Sequence, residues 1–332
     1  MATSIASSIS SVCGLSESSL YSQMTDDRGQ MTGRVPRGTS SLRSRMTLRP
    51  FTHRLRRFAL GAAGVLIVLA GELVGPGWFV RRTNQAEGEV VLQTVVRFLE
   101  ACPEREAGTE AGRRAAEWLA AQLGPRVQLQ PFTSGLGLPM TNVYLPAAAK
   151  PVAILAAHFD TKRGIAGFVG ANDGASTVGL LLHLAREGKL PVAYLFLDGE
   201  ESRERYNAQD GLQGAWHAAR SAELPRVPVI VLDMLGAKGG TPGLATNGSP
   251  RLKALACRAA EQVGLPLPAQ GEIVDDHVPF LAEGWQAIDL IDFDYAPWHT
   301  AADTAEQLSA ETLGKSLRLV RACVRSLEKE SL

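Results

Sequence analysis

The sequence predicts an α/β domain: a mostly parallel, mixed sheet flanked by helices on both faces, preceded by an N-terminal membrane-targeting segment. Three observations carry this expectation. Short apolar runs of strand length alternate with longer segments of helical periodicity, the pattern of a parallel sheet buried on both faces. Several of those runs end in a turn that carries His, Asp or Glu. Upstream, an almost wholly apolar stretch follows a cluster of arginines.

Taken in order, residues 1–57 are rich in Ser, Thr, Met, Gly and Arg without sustained periodicity, a composition that predicts disorder. They hold nine Arg against three acids, leaving 25 basic and 31 acidic residues for the rest of the 332. A mildly acidic folded part gives no basis for a nucleic-acid partner. Residues 58–80 are apolar apart from Glu72 and the glycines and follow Arg54, Arg56 and Arg57. The run is long enough to span a bilayer as a signal anchor, with the basic flank cytoplasmic. If translation starts at Met46, the same run reads as a cleaved signal peptide with a small-residue site near Ala70. Either way the following domain, residues 85–330, is expected to be exported, anchored or secreted. A buried soluble helix is the remaining alternative, disfavoured by Gly61, Gly64 and Gly71.

The domain opens with a predicted helix over Glu87–Glu100, whose Val90, Val91, Val95 and Leu99 recur at helical spacing. A second helix starts at N-cap Thr109, presents Ala115, Leu119, Ala120 and Leu123, and ends at Gly124-Pro125. Strands are predicted at Val127–Phe132, Asn142–Leu145 and Val152–Ala157, then a helix at Ser176–Arg186 and a strand at Val192–Leu197. A helix near Leu212–Arg220, a strand at Val227–Leu232 and a helix at Pro250–Val263 follow. A short helix near Val278–Ala282, a strand at Ala287–Ile291 and a helix at Ala310–Leu327 close the domain. Cys13, Cys102, Cys257 and Cys323 form no Cys-x-x-Cys pair, which argues against a zinc-thiolate site. Cys257 and Cys323 read as small core thiols on helices, His183 and His217 as structural histidines.

The chemistry concentrates at strand ends. Tyr194-Leu-Phe-Leu-Asp-Gly-Glu-Glu201 brings two adjacent carboxylates to the point where a buried strand surfaces. Such a pair stays ionised only beside positive charge, and a divalent cation is the natural candidate. His158 with Asp160, Asp173 in Asn-Asp-Gly, Asp233 and His299 stand at the ends of other buried runs. In open α/β sheets that is where sites are built. Imidazole and carboxylate ligands suit zinc, with Glu200 left over for proton transfer.

The order His-x-Asp, Asn-Asp-Gly, Asp-Gly-Glu-Glu, Leu-Asp-Met and His-Thr resembles the zinc exopeptidases of aminopeptidase-like fold. Phe168-Val-Gly-Ala, Gln209-Asp-Gly-Leu, Leu232-Asp-Met-Leu-Gly-Ala, Asp275-Asp-His-Val-Pro-Phe and Trp298-His-Thr are similar to the animal-type glutaminyl-peptide cyclotransferases within that superfamily. The likeness covers residues 87–327. It implies that Asp173, Glu201 and His299 bind one catalytic zinc, that Glu200 shuttles the proton, and that Asp275 and Trp298 belong to the pocket and catalytic network. His158 and Asp233 match a second metal position, so one zinc per chain is expected and two remain open, with Asp233 otherwise in the catalytic network. The implied substrate is a peptide or protein N-terminal Gln, cyclised with release of ammonia.

Three positions depart from the pattern. Asp289 stands where the cyclases carry a His, Tyr206 where they have a pocket Trp, and Ala157 where animal members have a Cys. Two other readings follow from the same residues. A dinuclear aminopeptidase would use Glu200 to deprotonate water and so release N-terminal residues; a non-enzymatic ectodomain would keep the fold alone.

Overall fold

The computed structural model describes residues 76–330. Of these, residues 81–330 belong to one compact unit. The disorder read at 1–57 and most of the apolar run at 58–80 lie outside the described residues. Among the described residues no helix is long and apolar enough to cross a membrane.

Helix α1, Pro76–Ala101, starts well before the expected Glu87. Gly75-Pro76 is a start signal, since proline is pre-organised for the first helical turn, but it falls inside the apolar run 58–80 that hides it. Helix α2, Glu110–Leu123, begins and ends as expected: Thr109 Oγ1 accepts from Gly112 N, and Gly124 closes it at φ 81°.

Strands β1 (Gln128–Thr133), β2 (Pro139–Leu145) and β3 (Ala153–His158) come next. A distorted turn, Ala171–Ala175, leads into α3, Ser176–Glu187. Then follow β4 (Val192–Leu197), α4 (Gln213–Arg220) and β5 (Val229–Asp233). After them come β6 (Gly243–Leu244), α5 (Pro250–Gln262), α6 (His277–Ala282), β7 (Ala287–Ile291) and α7 (Ala310–Glu330).

The strands form one sheet of order β1-β2-β4-β3-β5-β7-β6. The inner four, β4-β3-β5-β7, are parallel, and the outer β1, β2 and β6 are antiparallel to their neighbours. Strand alternation sorts the side chains onto two cores. Leu155, Ala157, Tyr194, Phe196, Ile230, Leu232, Ile288 and Leu290 face the layer that includes α1, α2, α3, α5 and α7. Ile154, Ala156, Leu195, Leu197, Val229 and Val231 face α4 and α6. The expected sheet covered on both faces is therefore present.

Two cysteines differ in fate. Cys323 is buried and pushed up to about 12 by burial, whereas Cys257 is exposed, correcting its reading as a core thiol. Helix α5 buries Leu252, Leu255, Ala256, Ala259 and Ala260, and Cys257 falls off that stripe. Cys102, Cys257 and Cys323 are all free.

The connection from β3 leads to β4 on one side, and β4 leads on to β5 on the other side of β3. The carboxyl ends of β3, β4 and β5 therefore surround a topological switch point, where a crevice opens.

Candidate active site

Each expected ligand comes from a different piece of backbone around that crevice. His158 is the last residue of β3 and Asp233 the last of β5. Glu200 and Glu201 follow β4 across Gly199, whose φ of 74° makes the turn. Asp173 sits in the distorted turn before α3, outside helical geometry at φ −76° and ψ 99°. His299 lies in the loop after β7 with φ 51°, and Met234, directly after Asp233, has φ 49°. Positive φ at two bulky residues beside one crevice is strain that the surrounding structure must hold.

These side chains converge. His158 Nε2 lies 3.2 Å from both Asp173 Oδ1 and Asp233 Oδ1. His299 Nε2 lies 2.9 Å from Glu201 Oε1 and 3.5 Å from Asp173 Oδ2. Two groups of metal-ligand type result, His158–Asp173–Asp233 and Asp173–Glu201–His299, and Asp173 belongs to both. Asp173 Oδ2 and Glu201 Oε2 are buried without a hydrogen-bond donor, and Glu201 Oε2 has the Lys162 ammonium 3.6 Å away. A buried carboxylate oxygen left as Asp173 Oδ2 is left is costly unless a cation serves it, and the imidazole and carboxylate donors around it fit a divalent metal.

The electrostatics agree with a crowded acidic site. Burial and the neighbouring Glu201 charge raise Glu200 well above the carboxylate range. Burial and the Asp173 charge raise Glu201, with His299 and Lys162 acting against them. Burial opposes charge on His158, but hydrogen bonds to Asp160, Asp173 and Asp233 raise it well above the ordinary imidazole value.

The expected pocket residues are close by. The Tyr206 hydroxyl donates to Glu200 Oε1 at 3.0 Å, so this residue touches the proposed proton shuttle as well as standing at the pocket. Trp298 stacks on His299 with ring centroids 4.0 Å apart and is 37% exposed, leaving a face for a ligand. Phe293 extends that surface, 4.9 Å from Trp298. Asp275 is buried and raised to about 7 by burial and the Asp233 charge. Asp289 is fully buried on β7, its Oδ2 3.9 Å from His277 Nδ1 and neither oxygen hydrogen-bonded. Burial and the Asp275 charge raise it well above the carboxylate range, while burial holds His277 down at about 3. His217 stacks on Phe132 and, like His183, takes no part in either metal-type group.

Asp160 and Asn172, named in the sequence only as motif neighbours of His158 and Asp173, hold this arrangement together with Asp303 and Arg105, which the sequence did not single out. Asp160 accepts from the backbone amides of Glu200 and Glu201, both at 3.1 Å. Asp303 does the same for Asn172 at 2.8 Å and Asp173 at 3.1 Å, and also accepts from the Tyr295 hydroxyl. The Asn172 side chain donates to Met234 O and accepts from Gly236 N, tying the Asp173 turn to the end of β5. Arg105, wholly buried, donates to the carbonyls of Cys102, Phe159 and Gly170. Burial pushes its guanidinium down to about 10, and nearby charges including Asp160 and Asp173 act against that. Asp160 and Asp303 carry a signal in their placement, two residues after His158 and four after His299. Arg105 carries none.

Residues 142–324 match the model of peptidase family M28, more than half of the chain. The chain belongs to peptidase family M28. Within this family it is similar to the mouse glutaminyl-peptide cyclotransferase-like protein, 31% identical over 65% of this chain and 70% of that protein. The bovine glutaminyl-peptide cyclotransferase is 28% identical over 54% of this chain and 63% of its own length. Among solved structures, the glutaminyl cyclase of an Acidobacteriales bacterium aligns with a TM-score of 0.68 at 28% identity, covering 74% of this chain and 95% of that one. The resemblance to the cyclases within the M28 zinc exopeptidases is thereby shown.

Proposed function

We propose that this M28 protein is a zinc-dependent glutaminyl-peptide cyclotransferase, converting the N-terminal Gln of peptides to pyroglutamate with release of ammonia. The observation that carries the reading is the pairing of an acidic metal-type group, Asp173–Glu201–His299, with a buried extra carboxylate, Glu200, and an exposed aromatic wall, Trp298. Relatives named as cyclotransferases and the zinc dependence of the M28 family support it.

A zinc ion held by Asp173, Glu201 and His299 would supply Lewis acidity towards the side-chain amide carbonyl of the substrate. The substrate's own amine is the nucleophile. Glu200 takes the proton of that amine and delivers it to the departing ammonia, as a positioned carboxyl group can. Tyr206 orients Glu200 through its hydroxyl. Trp298 covers one side of the glutamine side chain and helps exclude water. Asp233 and Asp275 complete the acidic surroundings in which the substrate amine gains and loses charge. We infer further that the domain is exported, on the strength of the apolar run 58–80 with Arg54, Arg56 and Arg57 before it.

One observation favours a second reading. Asp173 directs Oδ1 to the His158 group and Oδ2 to the His299 group, as a carboxylate between two metals would. That arrangement suits a dinuclear aminopeptidase in which Glu200 deprotonates water. Elemental analysis of the purified protein, together with assay of a Leu-initiated peptide, separates the two. The expected result is about one zinc per chain and no liberated Leu; about two zinc ions with released Leu would move the assignment to the aminopeptidase.

A further inference from the structure

Lys162 occupies a position that neither the expected ligand set nor the proposed chemistry accounts for. The chain leaves β3 at His158, and Thr161 is pinned to Arg105 through Thr161 N to Arg105 O and Arg105 N to Thr161 Oγ1. This anchor directs Lys162 across to the loop after β4. There Nζ donates to Ser202 Oγ at 3.0 Å, lies 3.6 Å from Glu201 Oε2, and sits 5.5 Å from the centre of the Tyr206 ring. Only 11% of the side chain is exposed, so this is a held ammonium rather than a waving surface lysine.

The Glu201 carboxylate is consequently divided. Oε1 faces His299 Nε2 at 2.9 Å, inside the metal-type group, while Oε2 is turned to the ammonium. A carboxylate that binds through both oxygens takes two places around a cation, whereas catalytic zinc works with three protein ligands and one open position. We propose that Lys162 is a positioning residue that restricts Glu201 to one-oxygen coordination, keeping a place at the metal for the substrate carbonyl at a cost in metal affinity. The inference rests on the reading of Asp173, Glu201 and His299 as ligands. It adds that the metal is held less tightly than these ligands alone would hold it, because a fixed positive charge stands beside a dication.

The consequence has an unusual sign. A residue that merely supports the fold lowers zinc affinity and turnover together when removed. Lys162→Met should instead bind zinc at least about tenfold more tightly, because Coulomb repulsion is relieved and Glu201 is free to chelate. Its kcat for ammonia release from a Gln-initiated peptide should fall by about tenfold or more. Lys162→Gln, which keeps a donor for Ser202 Oγ without the charge, should move zinc affinity in the same direction. Lys162→Arg keeps the charge and should stay within a few-fold of the parent in zinc affinity.

Zinc affinity is read by competition with a chromogenic chelator, without substrate, on protein checked for native circular dichroism. Unchanged or weakened zinc binding in both Lys162→Met and Lys162→Gln overturns the proposal. Glu201→Gln is measured alongside. Normal zinc affinity in that variant overturns the ligand reading itself, whereas loss of zinc there with no tightening in the Lys162 variants overturns only the role of Lys162.

Discussion

Asp173→Asn is expected to lose bound zinc and ammonia-releasing activity together. Asp173 belongs to both metal-type groups, with one oxygen 3.2 Å from His158 Nε2 and the other 3.5 Å from His299 Nε2. An amide offers one neutral oxygen where the site uses a charged pair, so whichever group holds the ion loses a ligand. The fold should survive the change. What ties Asp173 to Asp303 is its backbone amide, which asparagine keeps, and the substitution removes one charge from a crowded acidic cluster. Elemental analysis and circular dichroism on the same sample check this result. A full complement of zinc with normal turnover in Asp173→Asn would remove Asp173 from the ligand set.

Glu200→Gln should keep zinc and lose turnover, by about 10²- to 10⁴-fold in kcat, the range for removal of a positioned acid–base group. Glutamine preserves the size of the side chain, an oxygen for the Tyr206 hydroxyl, and the backbone amide that Asp160 holds. What it cannot do is take a proton from the substrate amine and return it to the leaving group. Steady-state ammonia release measures the loss. Activity within a few-fold of the parent would show that Glu200 has another role.

How much of this was readable in advance depends on the range of the interactions. Strands β3, β4, β5 and β7 were legible within about two residues because each is a short apolar run bounded by turn residues. The caps of α2, Thr109 and Gly124, were legible because capping is local chemistry. Strand β6 was not, since two residues, Gly243–Leu244, carry no period and owe their state to pairing with β7. Cys257 could have been placed correctly from the α5 apolar stripe, and the start of α1 from Pro76.

The site divides along the same line. Ligand-type residues announced themselves by chemistry at strand ends. Their supports did not, because Asp303 reaches back 130 residues to the Asp173 amide and Arg105 reaches 65 residues to Gly170 O. Lys162 lies two residues beyond the His-x-Asp motif, yet its partners Glu201 and Ser202 lie on another strand's loop. Asp289, one of the three departures from the cyclase pattern, stands in the acidic cluster with Asp275 and Asp233, buried without a hydrogen bond.

The most direct test uses a single Gln-initiated peptide and mass analysis of its products. A cyclotransferase leaves the peptide at full length, with its N-terminal amine blocked and one ammonia released per molecule converted. Hydrolysis leaves free Gln and a peptide one residue shorter. The account predicts the blocked full-length product with matching ammonia; free Gln with the shortened peptide would contradict it.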